Sequence, residues 1–239
     1  MKKESSNINV IINKIRRGYA VSGADQIELK KALRAAICDK HSEKMAGLQS
    51  LSTSVKLNKQ CAKNAAVDGS ICSHCYACKL LNIRSTLEEK LKGNTDLLTR
   101  VILPAEVLPE ILTLYFIFEA FGDLNNEIQV VNYFNICKKN PAVNFAIWTK
   151  NPRFIDKAIK NYGIAKPENL VIVYSSLFVN QVGAEIMKKY SFINKVFTVY
   201  SADYIKENNI NINCGARSCA GCLRCYKKDT EILISEKLK

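Results

Sequence analysis

The chain has 239 residues, 48% of them hydrophobic, which is enough for the buried core of one domain with at most a small appendage. No apolar run reaches the roughly 18 residues of a membrane-spanning helix, and no signal peptide is recognisable at the start, so we expect a cytoplasmic protein without a membrane partner. The formal net charge of +13 favours a nucleic-acid partner, although basic residues spread along the whole chain also fit an ordinary lysine-rich surface.

Residues 1–45 are predicted to form an N-terminal helical segment. Ser22 is a candidate N-cap, and Asp25 three residues later completes a weak capping box. An apolar stripe of helical type follows, formed by Ile27, Leu29, Leu33 and Ile37. This pattern is typical of an ordinary packing helix.

From residue 114 onwards, short apolar runs alternate with helical stretches. The runs are centred, 25 to 28 residues apart, on Ile117, Phe145, Val171 and Val196. Buried strands that alternate with helices indicate βαβ units and a parallel sheet. With a further strand near residues 47–54, the sequence predicts an α/β protein. Its core is expected to be a partial β/α barrel or an open parallel sheet with the helices on one side of consecutive strands.

Polar residues end each of these predicted strands. The carboxyl ends of parallel strands usually form the ligand-binding edge, so these residues are candidates for the rim of a substrate site. They are Glu119, Lys150, Ser175 and Ser201. Such residues also begin loops and cap helices, which is the simpler explanation for any one of them, but four at equivalent places favour a site.

Ten cysteines are the most unusual feature of the composition. Eight of them form two sets in which two-residue gaps recur, which indicates metal binding in a reducing compartment. Redox pairs and structural disulfides are the weaker alternatives, since nothing routes the chain to an oxidising compartment. The other two, Cys38 and Cys137, are predicted to be thiols buried in the core.

The C-terminal set supplies four thiolates within 12 residues, with Cys-x4-Cys-x2-Cys-x2-Cys spacing. These are Cys214, Cys219, Cys222 and Cys225. Structural zinc sites usually combine two cysteine pairs across a longer loop, whereas a tight run can wrap several corners of an iron–sulfur cube. The spacing therefore favours a [4Fe–4S] cluster, with zinc as the alternative.

The first set is Cys61-x10-Cys72-x2-Cys75-x2-Cys78. It supplies four ligands, or three with one spare. Three thiolates leave one iron of a cluster open, and an open position distinguishes a reactive site from a structural one. His74 lies inside the set and is a candidate substitute ligand, although a neighbour of the metal or a surface residue is the favoured interpretation.

Several segments together resemble the phage "gene product 88" domain family, over about residues 43–228. They are "KMAGLQSLSTS", Cys61, "ICSHCYA", "FGD", "FAIWTKNP" and the closing Cys-x-x-Cys-x-x-Cys. The chain is also similar to phage proteins that look like relatives of radical S-adenosylmethionine (SAM) enzymes. The resemblance implies an iron–sulfur protein with a partial β/α barrel, located in the host cytoplasm if phage-encoded.

The resemblance also implies roles for individual residues. Cys61, Cys72 and Cys75 would hold the open cluster, and Tyr76 would be the aromatic residue beside the last cysteine. Gly122-Asp123 would lie where radical SAM enzymes hold the methionine part of the cofactor. The usual Cys-x3-Cys-x2-Cys spacing and Gly-Gly-Glu motif are absent here, and Cys78 is an extra thiol that can close the site.

The sequence thus divides into residues 1–45, an α/β core at 46–205 that carries the first cysteine set, and a Cys-rich metal-binding extension at 206–239. Two hypotheses follow. The first is a radical-SAM-like enzyme of unknown substrate with two [4Fe–4S] clusters. The alternative is a non-catalytic, basic, nucleic-acid-binding protein in which zinc or iron–sulfur centres only stabilise the fold.

Overall fold

The structure, a computed structural model, describes residues 2–41 and 43–238. The protein is an α/β protein whose six strands form one parallel sheet in the order of the chain. The strands are β1 (Gln49–Leu51), β2 (Tyr115–Phe118), β3 (Asn144–Thr149), β4 (Leu170–Ser175), β5 (Lys195–Tyr200) and β6 (Leu233–Lys237).

Ten α-helices are described. They are α1 (Lys2–Arg16), α2 (Gly23–Ala36), α3 (Lys59–Ala65), α4 (Tyr76–Ile83), α5 (Ser85–Thr99), α6 (Glu127–Lys139), α7 (Pro152–Tyr162), α8 (Glu185–Lys189), α9 (Ala202–Glu207) and α10 (Cys219–Cys222). Short 3-10 turns lie between them, including Glu43–Met45, Ile71–His74 and Arg224–Tyr226. No helix within 2–41 and 43–238 is both long and apolar enough to span a membrane.

The five strands expected from the sequence are all present, and they pair in parallel as predicted. The structure adds β6, which the sequence analysis did not predict. This strand pairs with β5 from Val196–Leu233 to Tyr200–Lys237. Only Ile234 and Ser235 of β6 are buried, so it lacks the long apolar run that marks the other strands.

Side chains alternate between the two faces of the sheet, as the pleat of a strand requires. One face carries Phe116, Phe118 and Phe145, which join the main core together with residues of α1, α2, α5, α6 and α7. The opposite face carries Ile117, Ala146, Val171 and Val173 together with the partly buried rings of Tyr115, Trp148 and Phe197, and we call it the inner face. The helices of the main core therefore lie on one side of the sheet.

The N-terminal helices pack into that main core through Ile11, Ile12, Leu29 and Leu33. The predicted capping box is confirmed: the Ser22 hydroxyl accepts a hydrogen bond from the backbone N–H of Asp25, whose carboxylate accepts one from Ser22 N. Ile27 does not belong to the buried stripe, since it is 67% exposed.

Cys137 and Cys38 were both predicted to be buried in the core, and the structure confirms this for only one of them. Cys137 of α6 is fully buried in the main core, as predicted. Cys38 is only partly buried, so that prediction was wrong. Its backbone instead forms an isolated antiparallel bridge with Ser50 of β1, which places it beside the edge of the sheet.

Candidate metal centres

The first cysteine set lies beyond the carboxyl ends of the first strands, on α3, the turn Ile71–His74 and the first part of α4. Asn58 caps α3 by accepting hydrogen bonds from Gln60 N and Cys61 N at 2.9 and 3.2 Å. The Asn58 amide also donates to the carbonyls of Asp123 (2.8 Å) and Leu124 (3.1 Å). One buried side chain thus fixes Cys61 against the loop that follows β2.

Three thiols of this set lie within electrostatic reach of one another. Burial raises the pKa of Cys61, and the charges of Asp123, Cys72, Glu119 and Cys75 raise it further. Burial also raises the pKa of Cys72; nearby Lys150 opposes this, while Cys75 and Asp123 add to it. Cys61 and Cys75 also pack against one small apolar cluster, and the backbone N–H of Cys75 donates to the Cys72 carbonyl at 3.2 Å, so these three residues lie near one another beside the loop after β2.

The two other candidate ligands of this set differ from those thiols. Cys78 lies on α4 and is exposed, and so is His74. Within the described ranges, no group of three or more His, Cys, Asp or Glu side chains is arranged to hold a single metal ion.

Glu119 follows β2 directly and is held in a buried cradle of hydrogen-bond donors. Its backbone has φ 60°, in the left-handed region that residues other than glycine rarely adopt. The carboxylate accepts from Thr53 N and Oγ1 at 3.0 to 3.2 Å, from Gln129 Nε2 at 2.5 Å and from the Tyr133 hydroxyl. Burial raises the pKa of Glu119 to about 8, although the bonds from Tyr133 and Thr53 oppose the shift.

The raised pKa of Glu119 predicts a pH-dependent stability. Between its ordinary value of 4.5 and about 8, the folded protein binds more protons here than the unfolded chain does. Stability is therefore expected to fall as pH rises through this window, by at most about 1.4 kcal/mol per pH unit. Glu119→Gln cannot titrate and should lack this slope.

Urea unfolding of the wild type and Glu119→Gln at several pH values between 5 and 8 measures the difference. Asp123, Tyr133 and Cys61, the other titratable groups that interact with Glu119, are present in both proteins, so their effects largely cancel. Parallel pH profiles for the two proteins would contradict the assignment.

A side chain cannot fit at Gly122 in the present arrangement of the loop. A Cβ there would lie 2.1 Å from Glu119 Oε2 and 2.6 Å from the Thr53 carbonyl oxygen. The absence of a side chain at this position is therefore what allows the loop to close over Glu119.

Gly122→Ala is accordingly expected to destabilise the protein by about 1–3 kcal/mol, because the added methyl group forces the cradle apart. Gly93→Ala is the matched control. Gly93 lies in α5 with no atom within 4 Å of an added Cβ, so alanine there should stabilise the protein by about 0.5–1 kcal/mol. Thermal unfolding of both variants checks the pair; equal effects would show that the close approach at Gly122 has no consequence.

Asp123 is buried, and both of its carboxylate oxygens accept hydrogen bonds. Oδ1 accepts from Leu124 N at 2.7 Å and from Thr149 Oγ1 at 2.5 Å, while Oδ2 accepts from Lys150 N at 3.0 Å. Burial raises its pKa, whereas the hydrogen bond from Thr149 and the charge of Lys150 lower it. The Asp123 side chain thus joins the end of β3 to the loop after β2.

The remaining rim candidates lie at the ends of their strands and differ in their contacts. Lys150 Nζ donates to Ser175 Oγ at 2.8 Å, so these two residues form a polar pair across β3 and β4. Ser201 caps α9 by accepting from Tyr204 N at 3.4 Å. Tyr76 is 60% exposed, and its hydroxyl donates to the Ala120 carbonyl next to the loop after β2.

The C-terminal cysteine set lies across the inner face of the sheet. Ser218 caps α10 by accepting from Gly221 N at 3.3 Å, and Leu223 with φ 55° then reverses the chain towards Cys225. The four thiols line one cavity of about 30 Å³, together with Lys44, Trp148, Ala216, Leu223, Arg224, Tyr226 and Ile234. The predicted set is therefore assembled in three dimensions, over Ile117 and Ala146.

Lys44 and Arg224 are two basic residues that line this cavity. Lys44 Nζ lies 3.3 Å from Cys214 Sγ and 3.0 Å from Glu236 Oε1. Burial lowers the pKa of Lys44, but the contacts with Glu236 and Cys214 outweigh this and raise it above its ordinary value. Burial raises the pKa of Cys225 to about 12, reinforced by the other three thiols.

Phe121 connects the surroundings of the two sets. It packs against the apolar cluster of Cys61 and Cys75, and also against the inner-face cluster that includes Cys219 and Cys225. The loop after β2 therefore packs against the two apolar clusters that adjoin the two groups of cysteines.

Several residues of these sites were not predicted. They are Lys44, Thr53, Phe121, Gln129, Tyr133 and Tyr226. One signal was present in the sequence: Tyr226 follows Cys225 directly, as Tyr76 follows Cys75.

Together, the fold and these groups define an α/β protein that carries one set of cysteines at the carboxyl edge of a parallel sheet and another on its inner face. Comparison of the chain with protein families, with curated proteins and with solved structures gives no match.

Proposed function

We propose that this is an iron–sulfur protein, and that it acts as a radical-SAM-like enzyme on an unknown substrate. An open [4Fe–4S] cluster held by Cys61, Cys72 and Cys75 would bind SAM. An auxiliary cluster would be held by Cys214, Cys219, Cys222 and Cys225. One observation carries this proposal: three neighbouring thiols lie beside a buried carboxylate at the carboxyl edge of a parallel sheet, where such folds bind ligands.

The donor sets fit this group chemically. Thiolates bind iron–sulfur clusters and zinc in preference to hard cations. A cluster takes each thiolate on a different iron, so its ligands surround a cube and need not converge on a single point. This is compatible with thiols that interact electrostatically without the arrangement of a single-ion site.

The exposure of Cys78 supports an open first cluster. Cys61, Cys72 and Cys75 are partly buried, whereas Cys78 is exposed on α4. Three thiolates would leave one iron with a free position, which SAM occupies in radical SAM chemistry. Asp123 would lie next to this ligand; since its oxygens already accept three hydrogen bonds, it would also hold the loop in place.

Lys150 and Ser175 are the best candidates for contacts to an anionic part of the cofactor or substrate. The ammonium group of Lys150 interacts with Cys72 and Asp123 and donates to Ser175. A cation at this edge favours a carboxylate or phosphate. The consecutive order of the strands supports the finer proposal of a partial β/α barrel, in which the inner face would be the concave side.

Anaerobic purification with iron, sulfide and zinc analysis tests the proposal, followed by titration with SAM. Two cubane clusters predict about eight irons per chain and a change in the paramagnetic resonance spectrum of the reduced protein when SAM is added. Zinc in place of iron, together with no response to SAM, would contradict the enzyme.

The net charge of +13 favours a second candidate, a basic nucleic-acid-binding protein that metal centres merely stabilise. Binding to single- and double-stranded DNA and RNA at several salt concentrations tests this function. Steeply salt-dependent binding by a protein that ignores SAM would favour it over the enzyme.

A further inference from the structure

The Tyr226 hydroxyl is an unexplained group at the C-terminal cysteine cavity. Tyr226 is 5% exposed and lines the cavity together with all four thiols. Among the residues that the structure describes, its hydroxyl oxygen is one of two buried side-chain atoms without a hydrogen-bond partner. The other such atom is Ser54 Oγ, and Ser54 does not line this cavity.

A buried hydroxyl without a partner is costly. Large majorities of buried polar groups are hydrogen-bonded, and leaving one unsatisfied costs about 1–3 kcal/mol. The phenol ring itself is well packed: it lies edge-on to Tyr115 with ring centroids 5.4 Å apart, and it belongs to the apolar cluster of the inner face. Packing therefore accounts for the ring, while the hydroxyl still requires an acceptor.

The cavity also has a charged hydrogen-bond donor, the ammonium group of Lys44. Lys44 lies in the turn before β1, and its Nζ is 3.3 Å from Cys214 Sγ. A residue far from the cysteines in sequence therefore places a positive charge beside one of the thiols. Four thiolates carry more negative charge than a zinc ion or a cubane core can neutralise, which leaves the bound centre anionic. A buried hydroxyl donor and an ammonium group are what an anionic centre needs in a pocket of low polarity.

We infer that the Tyr226 hydroxyl donates a hydrogen bond to a sulfur atom of the metal–thiolate centre in this cavity, and that Tyr226 and Lys44 both tune this centre. The inference rests on the proposed function, since it requires a metal centre on the C-terminal cysteines. It adds the residues that stabilise that centre, which neither the cysteine spacing nor the resemblance indicates.

The hydrogen bond has a definite consequence for a cluster. Reduction adds negative charge to the sulfur atoms, so a donor to sulfur stabilises the reduced form more and raises the reduction potential. It also slows the loss of metal, because a thiolate that accepts a hydrogen bond is held in place.

The test compares Tyr226→Phe with Tyr115→Phe in the full chain. Both remove one phenol hydroxyl from the same ring pair, but only Tyr226 lines the cysteine cavity. The probes are a redox titration followed by paramagnetic resonance, in which a response to SAM identifies the signal of the first cluster, and the rate of metal release to a chelator.

We expect Tyr226→Phe to disfavour reduction of the C-terminal cluster about tenfold, which for one electron is about 59 mV, and to speed metal release several-fold. Tyr115→Phe should match the wild type in both. Equal behaviour of the two variants, in potential and in release rate, would overturn the inference. If the centre holds zinc, the release rate alone decides. If the wild type binds no metal at the C-terminal cysteines, the proposed function fails there, and the inference fails with it.

Discussion

Cys75→Ala is expected to remove the iron of the first centre, whereas Cys78→Ala should leave it in place. Cys75 is partly buried, packs with Cys61 in one apolar cluster and acts on the thiols of both Cys61 and Cys72. A buried ligand cannot be replaced easily by solvent, so its loss should reduce the iron content by about half and abolish the response to SAM. Cys78 is exposed on α4, three residues further along.

Iron per chain and the paramagnetic resonance response to SAM measure the two variants against the wild type. Cys78→Ala is the matched control, because it removes the same atoms from the same cysteine run. If Cys78→Ala lost iron as completely as Cys75→Ala, Cys78 would be a ligand and the cluster would be closed. The metal-stabilised binding protein would then be the better description.

The double variant Cys219→Ala/Cys222→Ala should remove the other half of the iron and leave SAM binding unchanged. Both thiols line the cavity on the inner face, and they belong to α10, which contributes nothing to the cradle around Glu119. Iron analysis and SAM titration of the purified variant give the result.

Cys137→Ala is the control for this double variant. Its thiol is fully buried in α6, away from both cysteine sets, so alanine should lower stability without changing the iron content. Complete loss of iron from a folded Cys219→Ala/Cys222→Ala protein would show that the two sets form one centre rather than two.

The sequence predicts the sheet well because its first strands are buried on both faces. The runs around Ile117, Phe145 and Val171 contain almost no polar residue, and such runs are read directly as parallel strands. The strand β6 could not be predicted in this way, since its sequence LISEK has a single buried aliphatic side chain. Its position depends on pairing with β5, which local pattern does not reveal.

Local sequence pattern predicts the sites only in part, for the same reason. Cysteine spacing predicts which thiols belong together, because the members of each set are close in sequence. The partners of Glu119 come from Thr53, Gln129 and Tyr133, up to 66 residues away, and Lys44 reaches Cys214 across 170 residues. Contacts of this kind arise only when the fold is complete, so residue pattern alone leaves them unpredicted.

The position of the C-terminal cysteines also has a consequence for biosynthesis. The inner face is covered by Tyr226, Cys219 and Cys225, which leave the ribosome after all of the first five strands. Until they arrive, the nascent sheet exposes Ile117 and Val173 to water, and exposed apolar surface of this kind promotes aggregation. Completion of the fold therefore waits for the cysteine segment, and during that interval the unfinished chain is more prone to aggregate than the finished protein.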